Sequence, residues 1–128
     1  EESLKFYRDA LGLEVAHLEE IESQGVRVAM LPIGESNLEL IEPLNQNSNI
    51  QKFLDKNGPG IHHVALEVNK NKNNINSVCE DLKSQNIKLT SEKPMPGAHN
   101  TKVNFVHPKS SSGVLLELVE QDSPENPL

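Results

Sequence analysis

Aromatic side chains are almost absent from this chain, with no tryptophan, one tyrosine and three phenylalanines among 128 residues. A core of one modest domain must therefore be filled by leucine, isoleucine and valine. Cysteine is reduced to Cys79, which excludes an internal disulfide and a thiolate metal site and fits a reducing compartment. Positive charge is scarce as well: twelve Lys and Arg against nineteen Asp and Glu give a formal charge of -7. That excess is spread along the chain and argues against a nucleic-acid or anionic-membrane surface. No apolar run approaches the roughly 20 residues of a membrane span. The opening "EESLKFYRDAL" has neither the charge nor the apolar block of a signal peptide.

What is present falls into two similar halves. Leu4, Tyr7 and Leu11 recur at helical spacing, with Ser3 to cap the start and Gly12 to close the end. A strand over about 14–17 follows. "GVRVAML" alternates Val26, Val28 and Met30 against Arg27, Ala29 and Leu31, and "PIGES" turns it into "NLELIEP", a β-hairpin ended by Pro43. "NIQKFLDKNGPG" predicts a short helix carrying Ile50, Phe53 and Leu54, stopped by Gly58-Pro59-Gly60 and linking the halves. "IHHVALEV" then reads as a strand, the Asn/Lys-rich "NKNKNNIN" as a solvated loop, and "INSVCEDLKSQN" as a helix with Ile75, Val78, Cys79 and Leu82 on one stripe. "IKLT", "KVNFVHP" and "GVLLELVE" supply three more strands.

The second half is thus β-α-β-β-β. The first is α-β-β-β and ends in the same kind of string, "LELIE" at 38–42 against "LELVE" at 116–120. We read an internal duplication whose first copy lacks its opening strand, so the sequence is expected to begin after one strand of the fold. The expected organisation is one domain: a first module over 1–44, a linker helix within 45–60, a second module over 61–121 and a tail over 122–128.

Strand parity then selects residues. In "LELIE" Leu38 and Leu40 share one face and Glu39 shares the other with Ile41; in "LLELVE" Glu117 sits between Leu115 and Val119 on the face opposite Leu116 and Leu118. A carboxylate on a half-buried face costs several kcal/mol unless it is paired, hydrogen-bonded or bound to a cation. Taken singly, each is a solvated surface charge; the recurrence makes them candidates. His62, Val64, Leu66 and Val68 form an apolar face suited to packing under a helix, so His63 shares the opposite face with Ala65 and Glu67. Glu39, His63 and Glu117 together would make an oxygen and nitrogen site for a divalent ion such as Co²⁺, Mn²⁺, Ni²⁺, Zn²⁺ or Fe²⁺.

The stretches "FYRDALGLEV", "GVRVAMLPIG", "LELIEPL", "GIHHVALEV" and "FVHPKSSSGVLLELVE" resemble, in this order, the methylmalonyl-CoA epimerase family. That family lies in the vicinal oxygen chelate superfamily, with glyoxalase I and the extradiol dioxygenases. The resemblance runs from Leu4 to about Glu120. It implies an α+β fold of two βαβββ modules forming a cupped mixed sheet around one metal. It also implies Glu39, His63 and Glu117 as ligands, with Co²⁺ first among the candidate ions. The family's fourth ligand, a histidine on the first strand, has no counterpart here, and some epimerases carry Gln at the place of Glu39.

The implied reaction is epimerisation of (R)- and (S)-methylmalonyl-CoA, on the route joining propionyl-CoA to succinyl-CoA. It proceeds by C2 proton abstraction through a metal-stabilised enolate, with Glu117 in proton transfer as well as ligation. Some epimerases place a second acid/base glutamate on the strand corresponding to residues 25–31. The register here gives Val28, which cannot move a proton. The resemblance further implies an acyl-CoA substrate, a homodimer, and residence in the mitochondrial matrix of a eukaryote or the cytoplasm of a bacterium.

Other residues carry less. Lys109 in "HPKSSSG" could meet a CoA phosphate; His107 reads as a strand-end residue with a backbone hydrogen bond, His99 as a loop residue near the site mouth, His17 as a surface strand residue and Cys79 as core. Two rivals stand beside the epimerase: a glyoxalase I-type lactoylglutathione lyase acting on a glutathione hemithioacetal, and a noncatalytic or truncated binding module of the same fold.

Overall fold

Helical spacing at the start of the chain produces a helix, though not the one that spacing alone predicts. In the computed structural model, which describes residues 1–68, 74–97 and 100–121, the first helix, α1, opens as one α turn at Glu2–Leu4 and continues in π form over Lys5–Ala10. Leu11 N–H reaches back to Phe6 O at 2.8 Å. A π turn holds more residues than an α turn, so Leu4 is buried while Leu11, expected on the same stripe, swings out to 56% exposure. Ser3 lies inside the helix; Glu1 occupies the cap position and makes no side-chain cap bond. Gly12, at φ +87, closes the helix as expected.

The chain divides into two compact units, Glu1–Gly60 and Ile61–Leu128. In the first, β1 is His17–Ile21 rather than 14–17: Leu13 and Val15 turn inward to pack with Leu4, and the ladder starts only where Ala16 N–H donates to Met30 O at 2.9 Å. β2, Val26–Ile33, and β3, Ser36–Pro43, form the expected hairpin. Its two-residue turn places Gly34 at φ +60, a conformation such turns demand.

The three strands pair antiparallel in the order β1-β2-β3. β2 is buried on both faces. Ala29 and Leu31 pack with Leu4, Tyr7, Leu38 and Leu40 on one side, and Val26 and Val28 pack with Ile41, Ile50 and Leu54 on the other. Ile50 and Leu54 belong to α2, Asn49–Asn57, whose start is capped by Ser48 Oγ accepting from Gln51 N–H at 3.1 Å. The helix expected to link the halves is therefore seated on the sheet of the first unit.

In the second unit β4 is Val64–Glu67, α3 Ile75–Ser84, β5 Met95–Gly97, β6 Thr101–Val106 and β7 Leu116–Gln121, with a 3-10 turn at Pro108–Ser110. The sheet order is β4-β7-β6-β5, parallel between β4 and β7 and antiparallel elsewhere. α3 carries a reciprocal cap between Asn74 and Ser77, and Glu120 Oε1 accepts the Ile75 N–H at 2.7 Å, tying the positive end of the helix to β7. Ile75, Cys79, Val78 and Leu82 form the expected stripe, over Val68, Val106, Leu116 and Leu118. Burying a side chain such as Ile75 contributes about 1.5–3 kcal/mol.

Two expectations fail here for physical reasons. "IKLT" makes only an isolated bridge, Leu89 to Val106, and the fourth strand is instead β5, whose Pro96 and Gly97 disguise it. Gly97 is needed there because a Cβ would stand 2.5 Å from Thr101 Oγ1 and 2.8 Å from Val103 Cγ1. The apolar face of β4 is not covered as expected either: α3 packs over β7 and β6, leaving Val64 and Leu66 on the edge strand at 44% and 53% exposure. Of the Asn/Lys-rich stretch expected as a loop over 69–76, residues 69–73 lie outside the described residues, while Asn74 caps α3 and the next two residues begin it.

Candidate active site

The parallel pairing of β4 with β7 sets Ala65 beside Glu117. His63, two positions before Ala65, points to the same face, away from α3. His63 Nε2 and Glu117 Oε1 lie 3.1 Å apart, with side chains only 15% and 18% exposed. A carboxylate withdrawn that far from water requires a partner, and His63 is one, donating its Nε2–H to the carboxylate.

Two neighbours hold the imidazole. His62 Nδ1 is 3.0 Å from His63 Nδ1, with the rings nearly perpendicular. Burial, and then the adjacent His63, push the His62 pKa below the usual histidine value. Phe105 stands opposite Glu117 in the register of β6 with β7 and sets its ring edge-to-face against His63, centroids 5.7 Å apart. His62 was expected on the apolar face beneath the helix, and neither His62 nor Phe105 stands out by residue type. The signal that finds Phe105 is register, which needs the β6–β7 pairing in hand.

In the first unit Glu39 lies opposite Met30 on β2. It shares a face with Ile41 and Val28 and turns away from Leu38 and Leu40, which pack beneath α1. Its strand parity is thus the one expected. Val28 is 6% exposed within the cluster around Ile50. Among the described residues β3 has a strand on one side only, β2, whereas β7 lies between β4 and β6.

The remaining candidates fall as follows. Lys109 is exposed on the 3-10 turn, and its N–H donates to His107 Nδ1 at 3.0 Å, so His107 makes the backbone bond expected of it. His17 begins β1, half exposed, with Nε2 3.3 Å from Glu19 Oε1. Cys79 is 1% exposed in the core. His99 lies outside the described residues.

The second unit presents an imidazole nitrogen and a carboxylate oxygen side by side, donor types that suit a divalent ion. Among the described residues no three His, Cys, Asp or Glu side chains within either unit are grouped to hold a metal. None of the described helices is long and apolar enough to cross a membrane.

Comparison with known proteins bears on this arrangement. The family model described as Glyoxalase/Bleomycin resistance protein/Dioxygenase superfamily matches residues 1–105. The chain is 40% identical over 119 residues to the mitochondrial methylmalonyl-CoA epimerase of Mus musculus, covering 92% of this chain and 65% of the mouse protein. It thus spans slightly less than two thirds of that relative's length. Among solved structures, the methylmalonyl-CoA epimerase of Mycobacterium tuberculosis superposes with a TM-score of 0.83 at 39% identity, covering 95% of this chain and 80% of that one. A methylmalonyl-CoA epimerase in complex with methylmalonyl-CoA and an ammonium ion superposes with a TM-score of 0.85 at 35% identity, covering 98% and 89%.

Proposed function

This chain belongs to the glyoxalase/bleomycin resistance protein/dioxygenase superfamily, and from that premise we propose that it interconverts (R)- and (S)-methylmalonyl-CoA. The observation that carries the proposal is the 3.1 Å contact between His63 and Glu117 on neighbouring parallel strands. It places a carboxylate capable of taking a proton beside an imidazole that fixes its orientation. Relatives and structural neighbours named for this activity support the same reading.

The reaction removes a proton from C2, between a thioester carbonyl and a carboxylate, and returns one to the opposite face. Without an ion, His63 donates its Nε2–H to Oε1 of Glu117; as a ligand it would give up that proton, and Glu117 takes the C2 proton in either case. We assign ligation of a divalent ion to Glu39, His63 and Glu117, with Co²⁺ first and Mn²⁺, Ni²⁺ and Zn²⁺ as competitors; superfamily membership supports a divalent metal in general. When bound, such an ion supplies positive charge that makes the C2 proton more acidic. Val28, buried among apolar side chains, leaves the second proton transfer to another group or to water. Lys109 is the side chain we assign to a CoA phosphate.

The reading treats the two units as modules of one domain, acting as a homodimer in the mitochondrial matrix of a eukaryote or the cytoplasm of a bacterium. The test is C2 proton exchange of methylmalonyl-CoA in D₂O, followed by NMR with protein supplemented with Co²⁺. Exchange that is abolished by a chelator and restored by the metal is expected. A folded, metal-supplemented protein that exchanges no C2 proton sinks the proposal. Turnover of a glutathione hemithioacetal by the same preparation would point to the lyase instead, and inactivity on both substrates to a binding module.

A further inference from the structure

Asn104 stands where the core of the second unit calls for an apolar side chain. It lies on β6 opposite Leu118, on the face that α3 covers, and is 2% exposed. A buried carboxamide is costly unless its hydrogen-bonding groups are met. A break in the sheet supplies the partners. On the outer side of β6, β5 pairs only as far as Val103, and the next contact is the bridge from Leu89 to Val106, with Thr90 N–H donating to Phe105 O at 2.9 Å.

The Asn104 carboxamide fills the opening between those two stretches. Its Oδ1 accepts the Phe105 N–H at 2.8 Å and its Nδ2 donates to Ser91 O at 3.2 Å. Nδ2 also stands 3.6 Å from Cys79 Sγ, joining β6 to α3. The residue whose backbone is fixed in this way is Phe105. Its ring emerges on the opposite face of the sheet, across from Glu117 and edge-on to His63. One buried carboxamide thereby sets the wall against which the His63–Glu117 pair rests.

We propose that Asn104 is a positioning residue for that pair, acting through Phe105; its bearing on catalysis rests on the epimerase reading, its bearing on geometry does not. The test compares the parent protein with Asn104→Ala, which removes the carboxamide, and Phe105→Leu, which leaves the carboxamide bonds in place and removes the ring edge. Imidazole nitrogen NMR of His63 in metal-free protein is the first readout. Both substitutions are expected to shift the His63 resonances away from the parent's. The second readout is C2 proton exchange, where Asn104→Ala is expected to lower kcat about tenfold or more with KM within about twofold.

A folded Asn104→Ala protein whose His63 resonances match the parent's would overturn the inference and leave Asn104 a core residue only. If Asn104→Ala does not fold, Asn104→Leu, which fills the same space without the carboxamide, decides: unchanged His63 resonances overturn the inference and shifted ones uphold it. If the parent protein exchanges no C2 proton, the epimerase reading falls, and the imidazole spectra still decide the positioning role.

Discussion

The last strand of each unit carries nearly the same string, yet the two strands sit in different surroundings. β7 lies between β4 and β6, and the parallel neighbour brings His63 to Glu117. β3 has only β2 beside it among the described residues, and Glu39 stands across from Met30. The second glutamate of each string differs too: Glu120 accepts the first N–H of α3, whereas Glu42 pairs with Arg27 at 3.1 Å, both side chains partly exposed. Repetition of a sequence therefore repeats the strand and its parity, and the neighbouring strand decides what each carboxylate can do.

The largest expected effect breaks this comparison at its centre. Glu117→Gln should lower the rate of C2 proton exchange about 10²- to 10⁴-fold, the range of a lost general base. Glu39→Gln should cost only about tenfold, because an amide oxygen still suits a divalent ion. Exchange rates of the two variants measured side by side check this, and equal losses would erase the asymmetry between the strings.

The cores should behave alike where the sites do not. Leu31 in the first unit and Ile75 in the second are both fully buried, so Leu31→Ala and Ile75→Ala should each destabilise by about 2–5 kcal/mol in urea unfolding. A cost below about 1 kcal/mol for one of them would mark its unit as loosely packed.

Both units were legible in the sequence to the extent that period and packing agree. Ile75, Val78, Cys79 and Leu82 fall on one stripe and one helix covers them. The β2–β3 hairpin follows from its alternation and from Gly34. The opening helix was legible in place but not in pitch, since Leu4, Tyr7 and Leu11 fit an α turn and the chain adopts a π turn that only its hydrogen bonds reveal. β5 was hidden because Pro96 and Gly97 disfavour a strand and tertiary pairing with β6 overrides them. Parity put Glu117 and His63 on one face, but it placed His62 on the other; His62 lies before β4 begins, where strand alternation need not hold.

Smaller effects sharpen the comparison at the helix starts. Ser48 caps α2 through its hydroxyl, and Asn74 caps α3 with Ser77 returning the bond. Ser48→Ala and Asn74→Ala should each cost about 0.5–2 kcal/mol, read as lowered urea midpoints. The cost at α3 should be the lesser one, because Glu120 still holds the Ile75 N–H; a larger loss at Asn74 would show that the reciprocal cap dominates.

Smallest of all is the exposed cluster of Arg27 with Glu20 and Glu42, at 3.6 and 3.1 Å. Arg27→Gln should change stability by no more than about 1 kcal/mol and should lose even that in high salt. A thermal melt with and without added salt measures it.

The parallel contact between β4 and β7 also predicts an order of events during folding. Antiparallel neighbours such as β2 and β3 meet across a two-residue turn, and hairpins of that kind close within about 1–10 μs. β4 and β7 instead enclose α3, β5 and β6 between them, and joining strands that far apart must wait until the intervening chain has found its place. His63 and Glu117 come together only at that closure. On the epimerase reading, C2 proton exchange should then return after helix and hairpin signals in a refolding experiment.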